Sequence, residues 1–258
     1  MKVGVTLPTF EPTATPALAF ARAAEEAGID GVFVFDHLWP GASKSRPALS
    51  MYPVLAAVAA TTQRVRIGSL VARVGLLPDG LISESFASLD ELSRHRIVAA
   101  LGIGDAKSAS ENSAYGIAWP ALRDRRASLA AILAELTGRG IECWVGASAP
   151  ATLAVARAAG AAVNLWDVGL ERLEAESALG PATWAGPFPA EAGVAAEHLL
   201  GLHAAGATWA IWGWPRSIDL VTEALWLAGL QDRGEHGLTS DDGASQDSGT
   251  SSVRFRAD

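Results

Sequence analysis

Short runs rich in β-branched and aromatic residues alternate along the chain with longer alanine-rich stretches, whose apolar positions recur at helical spacing. Eight such runs stand out: Val3–Leu7, Gly31–Phe35, Val65–Val71, Ile97–Gly102, Ile141–Gly146, Ala162–Trp166, Thr183–Gly186 and Trp209–Gly213. Most of the spacers between them can hold a helix, as parallel strand connections require. The first spacer shows the logic. Thr15 is placed to cap, Pro16 suits the first helical position, Ala17, Phe20, Ala21, Ala24 and Ala27 recur along one face, and Gly28 ends the run. Leu81–Leu92, Ala121–Leu136, Ala151–Ala159 and Ala192–Ala205 repeat the theme. The pattern predicts an α/β fold, a single (β/α)8 TIM barrel over residues 1–230. The competing open doubly wound sheet lacks its Gly-rich fingerprint after the first strand.

Composition narrows the function more than the fold. With 20 basic against 28 acidic residues the formal charge is −8, and no basic stripe is present, so neither nucleic acid nor an anionic membrane is an expected partner. The opening MKVGVTLPTF has no signal-peptide pattern and no stretch is apolar enough to span a bilayer, so the expected location is cytoplasmic. Cys143 is the only cysteine, which rules out a disulfide framework or a cysteine-ligated metal within one chain; it reads as a buried small hydrophobe. From Gln231 the chain turns to Gly, Ser and Asp, and residues 231–258 read as a disordered acidic tail.

In a TIM barrel the chemistry belongs at the C-terminal strand ends. These ends read Leu7-Pro8-Thr9-Phe10, Phe35-Asp36-His37-Leu38-Trp39-Pro40, Leu101-Gly102-Ile103-Gly104-Asp105, Trp144-Val145-Gly146-Ala147-Ser148-Ala149-Pro150 and Ile211-Trp212-Gly213-Trp214-Pro215. The blocks GVFVFDHLWP, TTQRVRIGSLV, SFASLDELSRHRIVAALGIGD, ENSAYGIAWPALRDRRASLAAIL, CWVGASAPATLAVARAAGAAVNLW and AGATWAIWGWP resemble, in order, the luciferase-like monooxygenase family.

That resemblance implies an oxidoreductase that binds the deazaflavin F420, with FMN as the alternative, and passes a hydride to or from a small organic substrate. The cofactor carries the hard chemistry and the protein orients and tunes it. By the same resemblance His37 is the catalytic candidate, with Asp36 orienting it or capping a loop. Pro8 and Thr9 belong to the cofactor end of the first strand, and Ser69 and Leu70 to a bulge that supports the ring from behind. Gly102 and Gly104 leave room for the ring. The Gly146-Ala147-Ser148 turn offers backbone N–H groups to the cofactor phosphate, and Trp212, with Trp39 and Trp214, walls the site.

Some features depart from the family. Asp105-Ala106-Lys107-Ser108 stands where some F420-dependent sugar dehydrogenases carry a glutamate, so a sugar phosphate is poorly supported. The connection Pro187–Gly193 is much shorter than the family's covering insertion, which leaves the pocket open or closed by a second subunit of a homodimer. His95 reads as a turn residue, and His198 and His203 as surface residues. Two other readings stand beside the leading one: a cofactor-binding member without turnover, and an unrelated TIM-barrel hydrolase or lyase.

Overall fold

The computed structural model describes residues 1–39 and 48–230, apart from the side chain of Lys107; Pro40 and the tail from Gln231 lie outside this range. The strands are β1 (Lys2–Thr6), β2 (Gly31–Val34), β3 (Arg66–Ser69), β4 (Ala72–Arg73), β5 (Ile97–Gly102), β6 (Glu142–Gly146), β7 (Ala162–Trp166), β8 (Ala182–Pro187) and β9 (Trp209–Gly213). All pairings are parallel, and the order β3-β2-β1-β9-β8-β7-β6-β5 closes on itself through β3 with β5. β4 extends β3 beyond a bulge whose Leu70–Val71 peptide bond is cis, and it pairs with the end of β5. The chain is therefore a closed eight-stranded barrel, as the alternation of elements predicts.

Helices α1 (Thr15–Glu26), α3 (Asp79–Leu92), α5 (Leu122–Gly138), α6 (Pro150–Ala158) and α8 (Ala192–Ala204) occupy the expected spacers. Thr15 is not the cap of α1: Ala14 takes that position and no side chain caps the helix, so the proline in the first turn sets its start. Gly28, at φ +75°, ends it. The sequence reading did not mark α2 (Met51–Thr61), α4 (Ala106–Ala114, ahead of α5), α7 (Leu170–Ser177) and α9 (Ile218–Leu227, after β9).

The strand period of two divides the core into two layers. Val3, Val5, Leu7, Val32, Val34 and Trp212 face the helices, while Phe33, Phe35, Val98, Ala100, Trp144, Ala185, Trp209 and Ile211 fill the barrel. Interior packing is a match of large against small. Phe33 stacks on Trp144 at 5.3 Å and meets Trp209 edge-on at 5.7 Å. A Cβ on Gly4 or Gly68 would come within 2.6 Å of the Phe33 ring, so glycine on the flanking strands is what admits the ring. Burying such an aromatic contributes about 1.5–3 kcal/mol.

Candidate active site

The short helix α4 builds one wall at the C-terminal end of the barrel. Its start is held by a capping box: Asp105 Oδ1 accepts the Ser108 N–H at 3.0 Å, and the Asp105 N–H donates to Ser108 Oγ at 3.3 Å. Its far end is tied by Asn112, whose Nδ2 donates to the carbonyls of Gly75 and Ala118 at 3.3 and 3.0 Å. Between these anchors Glu111 points inward and is 4% exposed. A buried carboxylate has to be paired. Glu111 Oε2 accepts from Arg73 Nη2 at 2.8 Å and from the Leu38 N–H at 3.3 Å, and Oε1 lies 3.0 Å from His37 Nδ1.

His37 follows β2 and keeps 44% of its side chain exposed, whereas Glu111 and Arg73 keep 6% and 5%. Among the described residues Nε2 of the ring has no hydrogen-bond partner. The histidine is thus anchored from below by buried groups and presented at the strand ends beside the rings of Phe10 and Phe35, 6.4 and 6.3 Å away between centroids.

Of the two parts expected of Asp36, its contacts match the loop cap and show no direct bond to His37. Its Oδ2 accepts the backbone N–H of Arg73 at 2.9 Å, and the side chain that holds His37 is Glu111. Neighbouring residues on an extended chain point to opposite sides, which separates the two. Burial raises the Asp36 carboxyl above its ordinary acidity range, against the lowering effect of the Arg73 amide and charge. Asp36 thus holds the backbone of the residue whose guanidinium pairs with Glu111.

The expected cofactor residues divide by position. Ser69 is buried and donates to the Ala100 carbonyl at 2.6 Å, and Leu70 joins the barrel interior, so both shape the bulge from within. Pro8 is half-buried, while Thr9 is buried with its Oγ1 unpaired. The room left by Gly102 and Gly146 is taken by Val71, which a Cβ would approach to 2.5 and 2.8 Å. That left by Gly104, at φ +67°, is taken by Trp119 and the Arg73 stem, at 2.8 and 2.9 Å. These glycines admit protein side chains.

Trp212 is fully buried on the helix-facing side against Phe188, with ring centroids 4.8 Å apart, so it does not wall the mouth. Trp39 is buried and stacks on Tyr115, at the C-terminal end of α4. Trp214 (52%) and Trp166 (43%) are exposed, as is Tyr115 (59%); sequence reasoning passed over Trp166 although it ends β7. Trp214 stacks on Phe35 at 5.2 Å and meets Trp166 edge-on at 5.6 Å. It adopts φ +53°, uncommon for a large side chain, and its N–H donates to Thr6 Oγ1 at 3.0 Å.

The turn at Gly146, Ala147 and Ser148 leads into α6, where residues 148–151 are exposed. Ala147 spends its N–H on the Asn164 carbonyl at 3.3 Å. Arg126, half-buried on α5, brings its guanidinium to the first turn of α6, donating to Thr152 Oγ1 at 3.2 Å. A helix N-terminus with a guanidinium beside it suits a phosphate.

Glu111, Arg73, Arg126 and Trp166 are the site residues missed in the sequence. Glu111 lay within ENSAYGIAWP, a block already carrying the family resemblance, but nothing in its spacing tied it to His37. Of the remaining histidines, His95 sits in a turn at φ +61°, as expected. His198 is not a plain surface residue: it is half-buried edge-on to Trp184 at 4.7 Å, and burial lowers its pKa.

The profile of the luciferase-like monooxygenase family matches residues 1–225, and the chain belongs to that family. An F420-dependent glucose-6-phosphate dehydrogenase of Nakamurella multipartita is 41% identical over 110 residues, which is 42% of this chain and 32% of that protein. The match thus spans about a third of that relative's length. Among solved structures, an F420-dependent secondary alcohol dehydrogenase bound to an F420-acetone adduct superimposes with a TM-score of 0.72 at 12% identity, covering 90% of this chain and 99% of that one. The F420-dependent tetrahydromethanopterin reductase of Methanopyrus kandleri gives 0.63 at 14% identity, covering 87% and 96%. At such identities these structures share the fold.

Proposed function

We propose that the protein is an oxidoreductase that holds F420 at the C-terminal mouth of the barrel and exchanges a hydride with a small organic substrate, FMN being the alternative cofactor. The carrying observation is His37, half-exposed beside the rings of Phe10 and Phe35 and anchored from below by a buried Glu111–Arg73 pair. A phosphate fits the α6 N-terminus beside Arg126, and a planar ring fits the surface formed by Phe35, Trp166 and Trp214. The names of the relatives favour F420.

When bound, the cofactor supplies the hydride chemistry. The chain's own share is binding and polarity. The first turn of α6 and Arg126 hold the anionic end, the tryptophan faces exclude water from one side, and His37 holds or moves a proton at Nε2, worth about 10²–10⁴-fold in rate for a positioned acid or base.

A second reading, cofactor binding without turnover, draws on the connection between β8 and α8, where only residues 188–191 intervene and cover little. The test follows deazaflavin absorbance while F420 and a panel of hydride donors are mixed with wild type and His37→Ala. Bleaching with a donor, slowed at least 10²-fold in the variant, is the expected result. Saturable binding with no bleaching by any donor selects the second reading, and binding of neither F420 nor FMN removes both.

A further inference from the structure

The hydrogen bonds around Glu111 bear on which nitrogen of His37 carries the proton. The inference stands on those bonds and not on the redox reading. A carboxylate accepts and cannot donate. Oε2 already receives two donors, Arg73 Nη2 at 2.8 Å and the Leu38 N–H at 3.3 Å, as an acceptor-only oxygen does. Oε1, 3.0 Å from the ring, has only Nδ1 to pair with among the described residues. A bare nitrogen facing a bare carboxylate oxygen across that distance in a buried setting would set two lone pairs against each other.

We infer that Glu111, clamped by Arg73, holds the neutral His37 ring in its Nδ1–H form, so that Nε2 presents a lone pair to the barrel mouth. Glu111 and Arg73 are thereby positioning residues: they fix the ring's orientation and its polarity, and the outward nitrogen takes a proton from what docks there before it can give one. The charged groups facing the ring are Glu111 from α4, Arg73 from β4 and Asp36 from its own segment. Asp36 is engaged with the Arg73 backbone N–H, which leaves Glu111 as the partner of Nδ1.

Glu111→Gln probes this directly, because the pocket dictates how the amide must lie. The position of Oε2 faces two donors and has to be filled by the amide oxygen. The NH2 group then falls at the position of Oε1 and donates to Nδ1, which drives the proton to Nε2. A near-isosteric change thus reverses the face that the ring shows to the mouth.

The experiment is ¹⁵N NMR of the histidine rings in the full chain, in alkaline buffer. The His37 signals are identified among the five histidines by their loss in His37→Asn. The wild type is expected to show a protonated-type shift at Nδ1 and a bare-nitrogen shift at Nε2, and Glu111→Gln to show the two exchanged. A wild-type ring protonated at Nε2 would overturn the inference without recourse to any variant. An unchanged pattern in a Glu111→Gln protein whose melting transition stays cooperative would overturn the role of Glu111. A purely structural glutamate would move the melting temperature and leave the tautomer alone.

Discussion

In the lower half of the barrel Phe33, Trp144 and Trp209 pack ring against ring, and the polar groups around them pair with one another. Trp144 Nε1 donates to Glu142 Oε1 at 3.0 Å, Glu142 bonds Arg66, and the Lys2 ammonium lies 5.3 Å from the Trp209 ring centroid. At the C-terminal end Phe35, Trp166 and Trp214 also pack together, yet two of these rings keep about half of their surface open and the His37 side chain is 44% exposed. A cavity of about 770 Å³ opens at the N-terminal end, lined by residues including Lys2, Cys143, Trp144, His203 and Trp209. Volume alone would put a ligand there. The proposed function puts it at the other end, where a buried Glu111–Arg73 pair lies beneath His37 and where barrel architecture expects a site. Cys143 fits this division: burial pushes its thiol up to about 12, so it stays a protonated packing group.

Four substitutions test the division. Phe33→Ala is expected to cost the most, about 3–5 kcal/mol in denaturant unfolding, because it empties the packed half. A loss under about 1 kcal/mol would show that the lower layer is loosely filled. Gly68→Ala is expected to cost about 1–3 kcal/mol by pressing a methyl group into the Phe33 ring. Combining it with Phe33→Leu should recover part of that loss, which a strain at the backbone would not allow.

At the mouth, Asp36→Asn is expected to change the pH dependence rather than the fold. The folded state raises the Asp36 pKa, so the contribution of this group is fully present below its unfolded value of about 3.9 and is lost as pH rises through the folded value. Asparagine keeps an acceptor for the Arg73 N–H and carries no charge. The variant should therefore match wild type near pH 3 and exceed it at pH 7 in thermal melts, and the opposite order at pH 7 would mean that the charge is stabilising where it lies. Trp214→Gly is expected to be smallest in stability, within about 1 kcal/mol, since it relieves a positive φ while losing a half-exposed ring. F420 affinity should fall about 3- to 10-fold through the lost stacking; unaltered affinity would take Trp214 out of the site.

The barrel was legible because its strands and most of its helices announce themselves by apolar period. Helix α4 did not, since the face it buries consists of Ser108, Glu111 and Asn112, and no hydrophobic stripe marks a helix that packs through hydrogen bonds. The key acid of the site was lost with it. Trp212 and Trp214 looked equivalent in sequence because strands of a closed parallel barrel are apolar on both faces, so alternation does not say which side is inside. The pairing of Val5 with Trp212 decides it, placing Trp212 with the helix-facing residues. His37 was singled out through the family resemblance at a strand end; its partner lies 74 residues away, a separation that no local pattern encodes.

The most direct measurement is an equilibrium titration of F420, read by ring fluorescence, against paired variants at the two ends: Arg126→Glu beside the α6 N-terminus and His203→Glu at the N-terminal cavity. Binding weakened at least tenfold by Arg126→Glu and untouched by His203→Glu is the predicted result. Loss of binding in His203→Glu with Arg126→Glu unaffected would place the ligand in the lower cavity and contradict the assignment of the chemistry to the barrel mouth.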